Sequence, residues 1–391
     1  METEYSYLLH LLGAYLRGEP AEPGQGIDWE KLTKLAQIHN VTGALGYMSM
    51  QHPICPDEAQ KKTLRSLCLN TISVYARRNA MADAFAAELE KAGIDHILMK
   101  GYVLRDFYPV PELRTFNDID IVIRPEDRKR CDELMLSWGF RRHTDWEPVY
   151  SYVRGHELYE IHTDIMEIDV SDKADYKGYF ARMWKFARLI RPHSYRFTPE
   201  FHFLYLLTHI AKHVHGSGAG VRMYLDVAAF IRHYGDSIDW VWIGGELKKL
   251  KLTDFGAAVL TAVEDWFGVT CPMAHKKLPG DVMETFTVYT LEAGTFGHHE
   301  RDAALASLKH TDQEAPRVKE VLRKTFPGAK TIQSRYTYLQ DKPWLLPAAW
   351  IHRLVKNREK LGRQTRQMQQ IIHADPEQVR KLQRLMRDIG L

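Results

Sequence analysis

The sequence predicts an α+β fold, a mixed β-sheet core with extensive flanking helical domains, and three observations carry the prediction. Residues 93 to about 195 hold short apolar segments, some alternating with period two as half-buried strands do. The residues before and after them carry apolar side chains at helical spacing. With 391 residues, the chain can bury a large core and is long enough for two or three domains. The patterns divide it into an N-terminal helical region (1–92), a sheet-bearing core (93–195), a helical domain (196–275) and a C-terminal helical region with a basic tail (276–391). No repeat or low-complexity tract is visible.

In chain order, YSYLLHLLGAYL reads as a helix, the Pro/Gly-rich EPAEPGQG as a loop, and IDWEKLTKLAQIHNV as a second helix that Asp28 caps and Trp29 begins. A long helical pattern follows from Asp57 to Ala92. Ile97–Met99 is a short apolar strand, Asp118–Ile123 a second strand, and RPEDRKRCDELMLSWG contains a helix. PVYSYVRGHELYEIHTDI is a strand pair turning at Arg154-Gly155. FHFLYLLTHIAKHVH and RMYLDVAAFIRHY return the chain to helices, and the residues after CPMAHKKLPG are helical with loops.

Composition narrows the class without naming a function. A net charge of +3 with 26% charged residues does not demand nucleic acid as a partner. Cys55, Cys68, Cys131 and Cys271 are scattered, with no CxxC or paired spacing, so neither a zinc knot nor a disulfide framework is indicated and a reducing cytoplasm is the expected location. No N-terminal signal is evident. No apolar run approaches the roughly 18 residues that a membrane span requires.

The chemistry concentrates in KGYVLRDFYPVPELRTFNDIDIVI, residues 100–123. In its last seven residues, Ile119, Ile121 and Ile123 face one side of a strand while Asp118 and Asp120 face the other. Two carboxylates this close resist joint ionisation unless a cation lies between them. Hard oxygen ligands suit Mg²⁺ (or Mn²⁺), which completes its shell with water and substrate phosphates. A plainly solvated edge strand is the duller explanation of a DxD string. Upstream, a strand, the Lys100-Gly101 turn and a helix start would form an anion site, with helix-end amides and the Lys100 charge directed at a phosphate. Arg114 would serve as a second phosphate clamp. For each of these residues a structural reading also stands: Gly101 as a turn former, Lys100 and Arg114 as surface charges.

Strand, Met-Lys-Gly, helix, Tyr-Pro, arginine and then Asp-Ile-Asp in an apolar strand resembles the nucleotidyltransferases of the polymerase-beta-like superfamily, and specifically its large, poorly characterised bacterial branch. LYEIHTDI resembles the Glu-x-His strand that carries the branch's third carboxylate. HIAKHVHGSGAGVRMYLDVAAFI resembles its helical segment with His, Lys-His, Arg and Asp, and EAGTFGHHERD and DKPWLLPAAWIHRLVKN its late segments, so the resemblance covers most of the chain. One departure is Lys-Gly at the phosphate turn, where superfamily members commonly have Gly-Ser or Gly-Gly and a shorter run to the aspartates.

The strand pair supplies a third acid. Tyr159 and Ile161 share one face, Glu160 and His162 the other, so Glu160 could meet the two aspartates in one cleft. Glu157, Asp164 and Glu167 are rivals on register alone, and the resemblance favours Glu160. His162 orients that acid, touches substrate or is a hydrogen-bonded structural histidine. His209 and His213, four apart on a helix, invite a zinc reading, but no HExxH or cysteine pair accompanies them. Arg222 and Asp226 have the spacing of an intrahelical pair. In the resemblance, the helices bearing His213 and Arg222 wall the cleft opposite the carboxylates and contribute to nucleotide binding. From Ile351 to Leu391 there are ten Lys and Arg against four Asp and Glu, a solvated basic face by default and otherwise a surface for an acidic partner, glycan carrier or nucleic acid.

The expectation is a metal-dependent nucleotidyltransferase. Asp118, Asp120 and Glu160 would be its metal and catalytic residues, and Lys100, Gly101, Arg114, His162, His213 and Arg222 would bind its nucleotide. An NMP group would pass from an NTP, expected to be ATP, to the hydroxyl of a small molecule, sugar or protein with release of pyrophosphate. A non-catalytic nucleotide sensor or interaction module on the same fold, or transfer of another group from a nucleotide-activated donor, is the alternative.

Overall fold

The period-two run around Asp120 forms β2 (Ile119–Ile123), the central strand of a seven-stranded mixed sheet of order β3-β4-β5-β2-β1-β7-β6. The computed structural model describes residues 3–55, 57–167, 170–294, 325–332, 336, 338–356 and 375–391. β1 (His96–Leu98) lies antiparallel to β2, and β5 (Glu157–His162) lies parallel to it on the other side. β5 is reached through β3 (Arg141–Trp146) and β4 (Val149–Arg154), with Gly155 at φ +60 opening the tight turn into β5. β6 (Ala187–Arg191) and β7 (Ser194–Phe197) complete the far edge.

The two faces of β2 are covered by different partners, as its alternation requires. Ile119, Ile121 and Ile123 pack with Phe85 and Leu89 of the long helix α4 (Glu58–Lys91), with Cys131 and Met135, and with Tyr159 and Ile161 of β5. Val122, on the opposite face, joins the core that contains Phe201, Leu204 and Tyr205 of helix α8 (Pro199–His215). Burying each isoleucine is worth about 1.5–3 kcal/mol relative to exposure. A one-residue slip of β2 would drive the aspartates into that apolar layer, so the register of the acids is strongly specified.

The N-terminal helices share their core with the helices after the sheet. Leu8, Leu12 and Leu16 of α1 (Thr3–Arg17) belong to one buried cluster with Phe255, Leu260 and Val263 of α11 (Thr253–Phe267). The C-terminal helix Pro376–Asp388 adds Leu385 and Met386, followed by Ile389, to the same cluster. Asp28 caps α2 (Trp29–Ile38) as its position predicts, accepting from the amides of Glu30 and Lys31, and Asp57 caps α4 in the same way.

Several boundaries differ from expectation. The second helical pattern stops at Ile38 because Asn40 takes φ +54, and a separate helix α3 (Thr42–Gln51) begins beyond it. Gly46 lets α3 press on α4, since a Cβ there would stand 2.3 Å from the Leu64 carbonyl oxygen. The helix after Lys100 is a single turn, α5 (Gly101–Leu104), extended only by a 3₁₀ turn at Arg105–Phe107 before Pro109 and Pro111 break the pattern. β3, β6 and β7 were not legible as strands.

All four cysteines are free and buried. Among the described residues, no helix is long and apolar enough to cross a membrane. Of the late segments, DKPWLLPAAWIHRLVKN contributes the helix Leu346–Lys356, while EAGTFGHHERD beyond Gly294 and residues 357–374 of the basic tail lie outside the described residues.

Candidate active site

Parallel pairing sets Asp120 of β2 directly beside Glu160 of β5, and Val122 beside His162. With side chains alternating, Asp120, Glu160 and His162 project from the same face, toward α8. Their donor atoms lie within 4.8 Å of one another and form, among the described residues, the one His/Cys/Asp/Glu group able to hold a metal ion. Glu157, two residues before Tyr159, falls on the other face, where its carboxylate accepts from Arg78 Nε at 2.8 Å. Register thus removes that rival. Asp164 accepts from the Met166 amide, and Glu167 lies 3.8 Å from Lys212 Nζ at the cavity wall.

Asp120 is 2% exposed, and its Oδ1 receives both Lys100 Nζ at 2.6 Å and His162 Nε2 at 2.9 Å. Burial alone would raise its pKa, but the Lys100 charge and the His162 hydrogen bond outweigh burial and hold it well below the usual carboxylate range. Asp118 and Glu160 move the other way. Burial pushes each of them up, and the charge of Asp120 adds to it. Three carboxylates therefore share a site in which Lys100 is bonded to Asp120, and at the other two the Lys100 charge does not offset burial and the repulsion of Asp120. A hard divalent cation suits this oxygen-rich, under-neutralised set.

The phosphate turn departs from the expected geometry. Lys100 takes φ +48 and ψ −127, a conformation natural to glycine and rarely adopted by a side-chain-bearing residue. A glycine would hold this backbone without strain, and the residue that stands here carries a cation instead. Because α5 is one turn long, its dipole is small, and the positive charge facing the acids rests on Lys100 rather than on a helix end. Gly101 is required by close approach: a Cβ there would stand 2.3 Å from Arg114 Nη1 and 2.8 Å from Phe116 Cβ.

Arg114 also lines the cavity of the site, where protein groups hold it. Its guanidinium is buried and committed, with Nε donating to Asp226 Oδ1 at 2.9 Å, Nη2 donating to Asp226 Oδ2, and Nη1 donating to the Thr115 carbonyl at 2.8 Å. Tyr108 donates to the same Asp226 Oδ1 at 2.7 Å. Asp226 is thus the counter-ion of Arg114, 112 residues away in sequence, rather than of Arg222 four residues away. Arg222 donates instead to the carbonyl and hydroxyl of Thr115, and its Nε is buried with no hydrogen-bond partner. Burial and the nearby Arg114 charge pull the Arg222 pKa down to about 10.

These groups line a cavity of about 300 Å³ between the sheet and the helices α8 and α9 (Val221–Tyr234). Lys100, Gly101, Asp118, Asp120 and Glu160 form one side, and His209, Lys212, His213 and Arg222 the other. His209 and His213 stack edge to face at 4.6 Å, and burial holds both as neutral rings, His213 down to about 4. Among the described residues, no carboxylate or thiol joins them in a metal-binding group. Thr115, Tyr108 and Lys212 belong to the site's framework, and no local motif marked the first two. Their partners lie on helices distant in sequence.

Three carboxylates at a central strand pair, the Lys100-Gly101 turn and a basic helical wall thus line one cleft. Residues 25–268, from α2 through α11 with the whole sheet between, match the family described as uncharacterised nucleotidyltransferase, and the chain belongs to that family. No curated protein and no solved structure matches it.

Proposed function

We propose that the chain is a divalent-ion-dependent nucleotidyltransferase of the polymerase-beta-like kind, moving an NMP group from an NTP, ATP in our reading, to an acceptor hydroxyl with release of pyrophosphate. The observation that carries this reading is the strand register, which brings Asp120, Glu160 and His162 together opposite a basic wall. Asp120 and Glu160 would hold Mg²⁺ or Mn²⁺, with Asp118 at the edge of the set, and the ion when bound supplies charge neutralisation at the phosphates.

The chain's own residues account for the rest. Lys100 offers an ammonium to the triphosphate, and Arg222 and Lys212 place further positive charge across the cavity. His162 fixes Asp120 through its hydrogen bond and so orients the acid. Glu160 has a raised pKa and is the group best suited to accept the proton of the attacking hydroxyl. Arg114 acts through position, holding the Lys100-Gly101 turn against α9.

The test is incubation with each labelled NTP, Mg²⁺ and a cell metabolite extract. A compound that gains the mass of one nucleotide, matched by pyrophosphate release that Asp120→Asn abolishes, is the expected result. An intact parent protein that consumes no NTP under any of these conditions overturns the proposal and leaves a nucleotide sensor.

A further inference from the structure

We infer that Lys100 is a built-in counter-ion of the cation site, one that keeps Asp120 closed to a divalent ion until a triphosphate draws the ammonium away. The inference rests on the proposed role of Asp120 as an ion ligand and adds a condition on when that role is available.

The geometry supports it at three points. Lys100 Nζ sits 2.6 Å from Asp120 Oδ1, the same oxygen that His162 bonds, so an oxygen of the Asp120, Glu160 and His162 group is taken by protein donors. Asp120 is almost fully enclosed, and a divalent ion could not approach that oxygen without facing the ammonium at close range. The Lys100 backbone, at φ +48 and ψ −127, occupies glycine territory. Side-chain-bearing residues persist there only where surrounding structure over-determines them, and such strain clusters at ligand clamps and switch sites. A glycine would form this turn without strain, so the side chain's contribution is the ammonium it aims at Asp120.

Lys100 also lines the cavity, so its flexible stem can carry the ammonium from the carboxylate to an incoming phosphate without backbone movement. The exchange conserves charge pairing. The ammonium leaves one anion for another as the ion takes its place beside Asp120. Ion and triphosphate binding are then coupled reciprocally, and an ion without a triphosphate binds weakly. Asp118 and Glu160 line the same cavity, but the Lys100 ammonium is salt-bridged to Asp120. Lys212, across the cavity, is drawn toward Glu167 at 3.8 Å and does not substitute for Lys100.

The test uses Mn²⁺ alone, with no nucleotide, titrated into the full chain while free Mn²⁺ is followed by electron paramagnetic resonance. Lys100→Met keeps the stem and removes the charge. Lys100→Gly removes the charge and suits the backbone, which secures a folded comparison, and circular dichroism verifies both. At least tenfold tighter Mn²⁺ binding in both variants than in the parent, abolished when Asp120→Asn is added, is the expected result. Equal or weaker binding in both Lys100 variants, with Asp120→Asn still weakening the parent, overturns the counter-ion role and leaves the ion site standing. If no form of the protein binds Mn²⁺, the ion site and the counter-ion role fall together.

Discussion

Whether Arg114 is a strut or a phosphate clamp is decided by its coupling to Asp226. The pair is buried on both sides, with side chains 7% and 5% exposed, and Tyr108 shares the carboxylate. Asp226→Ala would leave a guanidinium enclosed without a counter-charge and a buried phenol without its acceptor. Breaking such a pair by removing one partner costs about 3–5 kcal/mol. That is a large fraction of the roughly 5–15 kcal/mol that stabilises a typical domain. At roughly 2 °C per kcal/mol for a chain of this size, the melting temperature should fall by about 6–10 °C. Arg114→Met should do comparable damage. The double variant Arg114→Met/Asp226→Leu, which replaces both charges with apolar groups, should recover most of the loss, a coupling of at least about 2 kcal/mol in a double-mutant cycle. Denaturant unfolding gives the stabilities, and calorimetric titration with Mg-ATP gives nucleotide affinity alongside. Additive stability effects, with Arg114→Met leaving the melting temperature within a degree of the parent while Mg-ATP affinity collapses, would refute the strut and restore the clamp.

Three further outcomes follow from the same geometry. Gly101→Ala places a Cβ 2.3 Å from Arg114 Nη1 and should lower stability by about 1–3 kcal/mol; a thermal scan matching the parent would show that the turn has room to spare. Glu160→Gln should weaken Mg-NTP binding and lose on the order of 10²-fold in turnover, more than the loss of binding accounts for, and full turnover in side-by-side pyrophosphate and binding assays would remove Glu160 as the proton acceptor. Asp118 has its folded-state pKa raised by burial and by Asp120, so the folded protein holds this proton more tightly than the unfolded chain, and stability is lost as pH rises from about 3.9 through the raised value. Asp118→Asn should therefore melt higher than the parent at pH 7 without divalent ions, with the advantage shrinking as pH falls toward that unfolded value, and a gain independent of pH would contradict the assignment.

What the sequence made legible was what short-range pattern encodes. The alternation in NDIDIVI placed the isoleucines on the α4 side and Asp118 and Asp120 on the other, because a buried strand tolerates one register only. The same parity separated Glu160 from Glu157 once β5 was seen to lie parallel to β2 with Asp120 against Glu160. The capping aspartate Asp28 announced α2 because the cap and its amides lie within three residues of each other. β3, β6 and β7 escaped notice for the converse reason. RRHTDW and ARLIR are edge or near-edge segments dominated by charge, and their strand state comes from pairing with neighbours rather than from an apolar face of their own.

The cations of the site show where pattern reading stops. A buried arginine advertises a counter-charge without saying where it lies. The nearest spacing in sequence offered Arg222 with Asp226, an ordinary helical pair. The folded chain spends Asp226 on Arg114, leaves Arg222 an unpartnered Nε at the cavity, and sets Lys100 on Asp120. Each of those partnerships spans between 20 and 112 residues, and each reverses or qualifies a role that residue type alone suggested. The arginine read as a phosphate clamp is tied to Asp226, and the arginine whose spacing suggested an intrahelical pair donates to Thr115 instead. The lysine read as a phosphate ligand is bonded to the Asp120 carboxylate. Assigning a charged residue to substrate therefore requires knowing which protein group already satisfies it, and in this cleft Arg114 is paired with the Asp226 carboxylate while Arg222 donates to the carbonyl and hydroxyl of Thr115.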